Sequence, residues 1–185
     1  MRPVERNEII DYVTYEETRA AFRSEVMAAK APRRMHIGEH LTLLFENHLT
    51  VRYQIQEMIR TERIVKEAGI LHEIETYNEL LGGQGELGCT LLIEIDDPAV
   101  RTQKLKEWRR LPEKLYLALE DGARTWASFD ERQRGDDRLS SVQYLKFNTC
   151  GNVPVALGVD LPTLQAQTPL TTEQRKALQE DLASG

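Results

Sequence analysis

Residues 34–58, RMHIGEHLTLLFENHLTVRYQIQEM, contain the change of pattern on which the predicted fold depends. Over residues 36–46 apolar side chains recur at alternate positions, and this alternation predicts a strand. Asn47 is placed as an N-cap, and apolar residues then recur at helical spacing over roughly 48–68. The stretch therefore predicts a β-strand that leads directly into a long helix.

The segments that follow extend this beginning into a recognisable order of elements. They predict a strand at 70–77, an apolar strand at 89–95, a helix from Asp97-Pro98, and a strand that ends at 119. This strand–helix–strand–strand–helix–strand order is the ferredoxin-like βαββαβ arrangement. We therefore predict an α+β fold with a ferredoxin-like core, in which helices cover one face of an antiparallel sheet.

The remainder of the chain adds elements on either side of that core. A length of 185 residues suits a single domain, which we expect to span residues 1–185. Within it we expect an N-terminal helical arm over 1–34, the ferredoxin-like core over 35–120, and C-terminal strands with a terminal helix over 121–185. Thr171 is placed to cap that terminal helix.

Composition and cysteine usage exclude several classes of protein. The net charge is -6 and basic residues are scattered among acidic ones, so we expect no nucleic-acid partner. The beginning of the chain lacks an apolar signal segment, and no run is long enough to span a membrane. We expect a cytoplasmic protein with no membrane partner and with reduced thiols. Cys89 and Cys150 match no zinc or iron–sulfur spacing.

Histidines raise the question of a metal site. His36 and His40 are four residues apart, but the residues between them do not make a zinc-binding HExxH motif. On one strand they would be about 13 Å apart, too far for a single ion, whereas pairing of His40 or Glu46 with Glu94 across strands is easier. We assign no metal ligand and keep His36, His40, Glu46 and Glu94 as candidates. The alternative is a half-polar sheet face covered by C-terminal strands or by a second subunit.

The polar side of the predicted helix after Asn47 has two interpretations. Arg52 and Gln56 lie close to one line, with Glu57 and Arg60 near it, as on any solvated helix face. Alternatively, Arg52 binds a carboxylate or phosphate with Gln56 beside it. The glycine-rich loop at 78–88 is followed by a strand, unlike a phosphate-binding loop, and we interpret it as a flexible hairpin or lid.

Three stretches carry a family resemblance: LTLLFENHLTVRYQIQEMIRTERI (41–64), HEIETYNELLGGQGELGCTLLIEI (72–95) and SSVQYLKF (140–147). They resemble the bacterial family catalogued as domain of unknown function 3501. The resemblance implies a soluble bacterial protein encoded beside rubrerythrin-like and iron–sulfur oxidoreductase proteins, hence a role in redox or oxidative-stress metabolism. The paired Glu-x-x-His helices of rubrerythrin itself are absent, so we expect no di-iron site of that kind.

The residues that carry this resemblance are largely polar, which favours a polar binding cluster. The candidate binding residues are Glu46, Asn47, Arg52, Tyr53, Gln56, Glu57, Tyr77, Asn78 and Glu86.

Three hypotheses follow. The first is a non-enzymatic accessory or binding protein, a homodimer that serves a redox protein partner. The second is an enzyme of unknown reaction with a polar cleft around Arg52, Gln56 and the glycine-rich loop. The third is a metal-binding protein that uses histidines and glutamates of the sheet face. Catalytic residues and cofactors stay unassigned.

Overall fold

A computed structural model describes residues 1–133, 135 and 137–184, and these residues form an α+β fold. The helices are α1 (Tyr12–Lys30), α2 (His48–Glu62), α3 (Glu67–Asn78), α4 (Pro98–Glu107) and α5 (Thr172–Ala183). The strands are β1 (Arg34–Ile37), β2 (Leu41–Glu46), β3 (Glu86–Ile93), β4 (Leu115–Ala118), β5 (Arg124–Trp126), β6 (Val142–Asn148), β7 (Ala156–Leu161) and β8 (Leu164–Pro169).

The strands form two antiparallel sheets whose apolar faces share one core. The first sheet has the order β1-β2-β3-β6 and the second the order β5-β4-β7-β8. Leu43 lies opposite Leu91 in the first sheet, and Leu117 lies opposite Leu157 in the second. All four are fully buried members of the same cluster, which residues of α4 and α5 complete. The fold thus stacks the two sheets through alternate side chains of each strand.

A second apolar cluster lies among the first three helices. Buried side chains of α2 recur every four residues, at Val51, Ile55 and Ile59. The cluster also includes Ile70 and Ile74 of α3, together with apolar residues of the N-terminal arm, residues 1–11. This spacing is that of one helix face, so the helices and the arm pack on each other as a layer of their own.

The predicted strand at 70–77 is wrong, because these residues belong to α3. Ile70 and Ile74 lie one helical turn apart and are both buried, whereas Leu71 is 47% exposed. The same letters also alternate with a period of two, so the local pattern is ambiguous, and packing against α2 decides it. Since β4 also lies in the second sheet, the ferredoxin-like βαββαβ order is not the one observed.

Two further boundaries differ from the predictions. The strand predicted at 36–46 is a hairpin, in which β1 and β2 are separated by a turn with Gly38 at φ +61°. His40 lies in that turn rather than on a sheet face. The long predicted helix ends early, because Arg63 adopts a left-handed φ of 52°. Gly69, a residue type that often ends a helix, lies inside α3 instead.

Glycines bring the end of α3 close to the first sheet. A Cβ atom at Gly88 would lie 1.8 Å from the carbonyl oxygen of Leu80, and one at Gly82 would lie 2.2 Å from the carbonyl oxygen of Glu86. Only glycine permits such an approach of two backbones. The glycine-rich loop is therefore packed against β3.

Several locally encoded elements are confirmed. Asp97 caps α4 by accepting hydrogen bonds from two backbone N–H groups, with Pro98 at the first helical position. Thr171 and Gln174 form the capping box of α5. Gly122 lies in the tight turn between β4 and β5. In the part of the chain that the structure describes, no helix is both long and apolar enough to cross a membrane.

Candidate functional site

Two amide side chains predicted as site residues bind the N-terminal arm instead. Gln56 is 1% exposed. Its Oε1 accepts from the N–H of Ile10 at 2.9 Å, and its Nε2 donates to the carbonyl of Ile10 at 3.1 Å. Asn78 makes the same pair of bonds with Val4, at 2.8 and 3.0 Å. Each amide thus satisfies both backbone groups of one arm residue.

Arg52 also binds the arm. Its Nε donates to the carbonyl of Glu8 at 3.0 Å, and its guanidinium carbon lies 5.0 Å from the centre of the Phe22 ring. Tyr53, which is 7% exposed, packs edge-on against that ring with centroids 5.9 Å apart. We call Arg52, Gln56 and Asn78 the polar clamp, because together they hold the N-terminal arm on α2 and α3.

Glu57 joins α2 to α1. Its carboxylate accepts from the hydroxyl of Tyr15 at 2.7 Å and from two guanidinium nitrogens of Arg19 at 2.7 and 2.9 Å. The bonds from Arg19 lower the pKa of Glu57, against the effect of burial. Burial, followed by the bond to Glu57, raises the pKa of Tyr15. The carboxylate is therefore an ionised partner for α1 rather than a free acid or base.

Glu46 and Asn47 join the end of β2 to β3, α2 and α5. Glu46 is 7% exposed, and its two oxygens accept from the hydroxyls of Thr90 at 2.8 Å and Thr50 at 2.6 Å. Asn47 caps α2 by accepting from the N–H of Thr50 at 3.0 Å, and it donates to Asp181 at 3.2 Å. Both side chains have their hydrogen-bonding groups occupied by the fold.

A buried ion pair that sequence analysis missed continues this network. Arg33 donates to both carboxylate oxygens of Asp181, at 2.7 and 2.8 Å, and the two side chains are 8% and 5% exposed. Arg33 donates as well to the carbonyl of Ala29 at 2.8 Å. The partners are separated by 148 positions, so no local pattern in the sequence could have found the pair.

The metal candidates do not converge. Thr42 donates to Glu94 at 2.5 Å, and its oxygen lies 2.9 Å from Nδ1 of His36. His40 lies in the turn before β2, while Glu46 ends that strand. Among the residues that the structure describes, no three His, Cys, Asp or Glu side chains form a group that could hold a metal ion.

Glu86 and Cys150 lie outside the cavity that is described below, whereas Cys89 is one of its lining residues. Glu86 accepts from the N–H of Gly83 at 3.1 Å within the glycine-rich loop. Cys89 is buried and Cys150 is exposed, and both are free. Burial raises the pKa of the Cys89 thiol well above its ordinary value, and the nearby Glu46 adds to this effect. Cys89 therefore behaves as a small apolar residue of the core.

The described residues also line a cavity of about 480 Å³ that is open to solvent on one side, and we call it the α3–β6 cavity. One wall is the end of α3 and the residues that follow it, and the floor includes β6. The segment 128–133 closes the far side. Six of its lining residues define its chemistry: Tyr77, Leu80, Phe129, Gln133, Tyr144 and Lys146. Tyr77 is the predicted site residue that lies here.

The floor of the cavity is held along the edge of β6 that faces away from β3. Lys146 and Ser128 exchange two backbone hydrogen bonds of 2.8 Å each. The amide of Gln133 accepts from the N–H of Tyr144 at 2.7 Å and donates to its carbonyl at 3.2 Å. Tyr144 and Lys146 are two residues apart on one strand, so their side chains lie on the same face. Their positions are therefore set by a rigid backbone.

The side chains of this cavity combine apolar surface with a few polar ends. Tyr77 is half-buried, and burial raises the pKa of its hydroxyl, which stays protonated at neutral pH. Tyr144 is 42% exposed. Lys146 is half-buried, and no carboxylate among the described residues forms an ion pair with it. Glu79 and Asp130 also line the cavity, so it offers a small molecule ring contacts, one ammonium group and two carboxylates.

Comparisons with known proteins agree with the sequence resemblance. The family model described as "Protein of unknown function (DUF3501)" matches residues 3–182, which confirms the predicted family. A crystal structure of a novel protein of unknown function from Burkholderia pseudomallei K96243 is 28% identical, with a TM-score of 0.89. The match covers 98% of this chain and 100% of that chain. No curated protein matches.

Proposed function

The chain belongs to the DUF3501 family, and from that premise we propose that it is a non-enzymatic binding protein whose ligand site is the α3–β6 cavity. The observation that carries this proposal is a cavity of about 480 Å³ with aromatic walls and a lysine on its floor. Cavities of this size, mostly apolar with a few placed polar groups, are typical small-molecule sites.

The bonding of the polar clamp favours this cavity over the polar cluster near Arg52. An enzyme cleft there would need Arg52 and Gln56 open to substrate beside the glycine-rich loop. Both side chains bind backbone groups of the N-terminal arm instead. A ligand would have to displace the arm to reach them, whereas the α3–β6 cavity can be entered without breaking any of these bonds.

The association with redox or oxidative-stress metabolism, the homodimer and the redox protein partner stay predictions that rest on the family resemblance. An accessory role of this kind is compatible with a small-molecule site, because bound ligand could report metabolic state to a partner. Measurement of the mass of the untagged protein by light scattering tests the homodimer directly.

Titration with phenylnaphthylamine, a neutral dye that fluoresces in apolar sites, tests the binding site. We expect saturable binding of one dye per chain to the folded protein. Thr76→Trp places an indole at a residue that lines the cavity and should abolish this binding by filling the space. Glu75→Trp is the matched control, since it makes the same change at the adjacent exposed position of α3 outside the lining.

Two results would contradict the proposal. One is dye binding that never saturates, as expected for adsorption to scattered surface. The other is an equal effect of the two tryptophan substitutions, which would place the dye elsewhere on the protein. Circular dichroism of both variants establishes that they keep the wild-type fold.

A further inference from the structure

Lys146 lines the α3–β6 cavity from a strand whose backbone is paired on both sides. Its backbone is paired on one side with Gly88 of β3 and on the other with Ser128. The side chain is half-buried, and no described carboxylate pairs with it. An ammonium group beside a cavity, without a carboxylate in ion-pair range, is a placed positive charge to which an anionic ligand can bind.

The carboxylates around Lys146 do not take that role. Glu46 lies on the other side of Gly88, so its strand is about 10 Å from that of Lys146, and its oxygens accept from two threonine hydroxyls. Glu79 lines the cavity from the exposed end of α3, and Asp130 lines it from the segment 128–133. Asp130 is not a free carboxylate, because it takes part in an interaction of its own.

Aromatic residues stand on three sides of the same space. Tyr144 projects from the same face of β6 as Lys146, Tyr77 comes from α3, and Phe129 comes from the crossing segment. Rings on different elements form walls against which a flat molecule packs, and the two tyrosine hydroxyls add polar groups to this lining.

We propose that the ligand of this cavity is a small planar aromatic molecule with one anionic group. The anion pairs with the ammonium of Lys146, and the ring system packs between Tyr77 and Tyr144. This inference rests on the proposed function and specifies its ligand class. It also assigns Lys146 as the residue that distinguishes an acid from its neutral analogue.

Two dyes that differ by one group test the inference. Anilinonaphthalene sulfonate carries the ring system of phenylnaphthylamine with an added sulfonate, so their affinities isolate the charge. We expect the sulfonate dye to bind wild-type protein more tightly, by about tenfold, the typical effect of a charge-assisted hydrogen bond. Lys146→Met should remove this advantage and leave the affinity for the neutral dye within about twofold.

Three controls accompany the dye pair. Lys146→Arg keeps the positive charge and should retain the preference for the sulfonate dye. Lys176→Met removes an exposed lysine that does not line the cavity and should change neither affinity. Added salt should weaken the binding of the sulfonate dye and leave that of the neutral dye unchanged, because salt screens the ion pair.

The outcomes separate the inference from the proposed function. If both dyes bind equally and Lys146→Met changes neither affinity, the inference is overturned while the binding site stands. If the binding of neither dye saturates, or if Thr76→Trp leaves the affinity for both dyes unchanged, both the proposed function and the proposed ligand class are wrong.

Discussion

The polar clamp and the α3–β6 cavity contain similar side chains, but these side chains have different roles in the two regions. In each region a glutamine amide pairs with both backbone groups of an extended segment, Gln56 with Ile10 and Gln133 with Tyr144. Gln56 is 1% exposed, and both groups of its amide are bound to the N-terminal arm. Gln133 fixes a strand whose tyrosine side chain remains 42% exposed beside a cavity.

This difference shows which observation identifies a binding site. A high density of polar residues in a sequence marks a place where many hydrogen bonds are made, and the fold itself can make them all. A binding site needs polar groups whose partners are missing, next to apolar surface that water covers poorly. The clamp meets the first condition, and in the α3–β6 cavity Lys146 meets the second. The four predictions below test that contrast.

The largest effect on stability is expected at the buried ion pair between Arg33 and Asp181. Asp181→Ala leaves Arg33 buried without its counter-ion and should lower the free energy of unfolding by about 3–5 kcal/mol in urea titrations. Glu180→Ala, at the adjacent exposed position, should change it by less than about 0.5 kcal/mol. Affinity for either dye should be unchanged in both. A loss below about 1 kcal/mol for Asp181→Ala would mean that Arg33 finds water or another partner.

Removal of one clamp residue should loosen the N-terminal arm. Gln56→Leu leaves the N–H and carbonyl of Ile10 without partners and should cost about 2–3 kcal/mol. Hydrogen exchange at the arm should accelerate more than exchange in β3. Gln103→Leu, at an exposed position of α4, is the matched control. Equal exchange in wild-type and Gln56→Leu protein would show that apolar packing alone holds the arm.

Stability in acid should depend on Glu8, which lies in the arm. Burial opposes ionisation, but the guanidinium of Arg2, the N–H of Glu5 and the ring of His48 together lower the pKa of Glu8 to about 2. Because the folded pKa lies below the ordinary value of 4.5, the stabilisation is present above that pH and is lost as the pH falls toward 2. Glu8→Gln should be less stable at neutral pH and converge with wild type in acid. If the melting temperatures of wild type and Glu8→Gln differed by the same amount at every pH in this range, Glu8 would not be the source of the acid dependence.

The smallest effect on stability is expected in the cavity. Tyr144→Ser removes a half-exposed ring and should cost about 1 kcal/mol or less while weakening dye binding. The same change at Tyr53, which is 7% exposed, should cost about 3 kcal/mol or more and leave dye binding unchanged. Chemical denaturation and dye titration of the two variants provide the comparison. Similar losses of stability would remove the distinction between the two regions.

The elements predicted correctly are those with a local physical cause. Asp97 followed by Pro98 starts α4, and Thr171 with Gln174 starts α5, because caps involve residues within one turn. The predicted strand at 70–77 failed because its residues suit two periods. Its true conformation depends on apolar partners in α2 and in the N-terminal arm, which lie far away in the chain.

The candidate site was predictable only in part. Tyr77 was identified through the family resemblance, and Tyr144 and Lys146 lie in one of the stretches that carry it. Their spacing of two in a predicted strand already places them on one face. Nothing in the sequence indicates that Tyr77 and Phe129 complete the same cavity, since the three segments meet only in the folded chain.

By itself, the sequence determined the α+β class, the family, several helix caps and the alternation of the strands. These properties depend on residues close together in the chain, where backbone geometry and hydrogen-bond reach limit the alternatives. Only the tertiary structure decided which polar side chains find partners and which remain available to a ligand. That outcome depends on distances between remote segments, as between Arg33 and Asp181 or between α3 and β6. Arg52 and Lys146 differ in availability because one packs against an arm of the chain and the other faces a cavity.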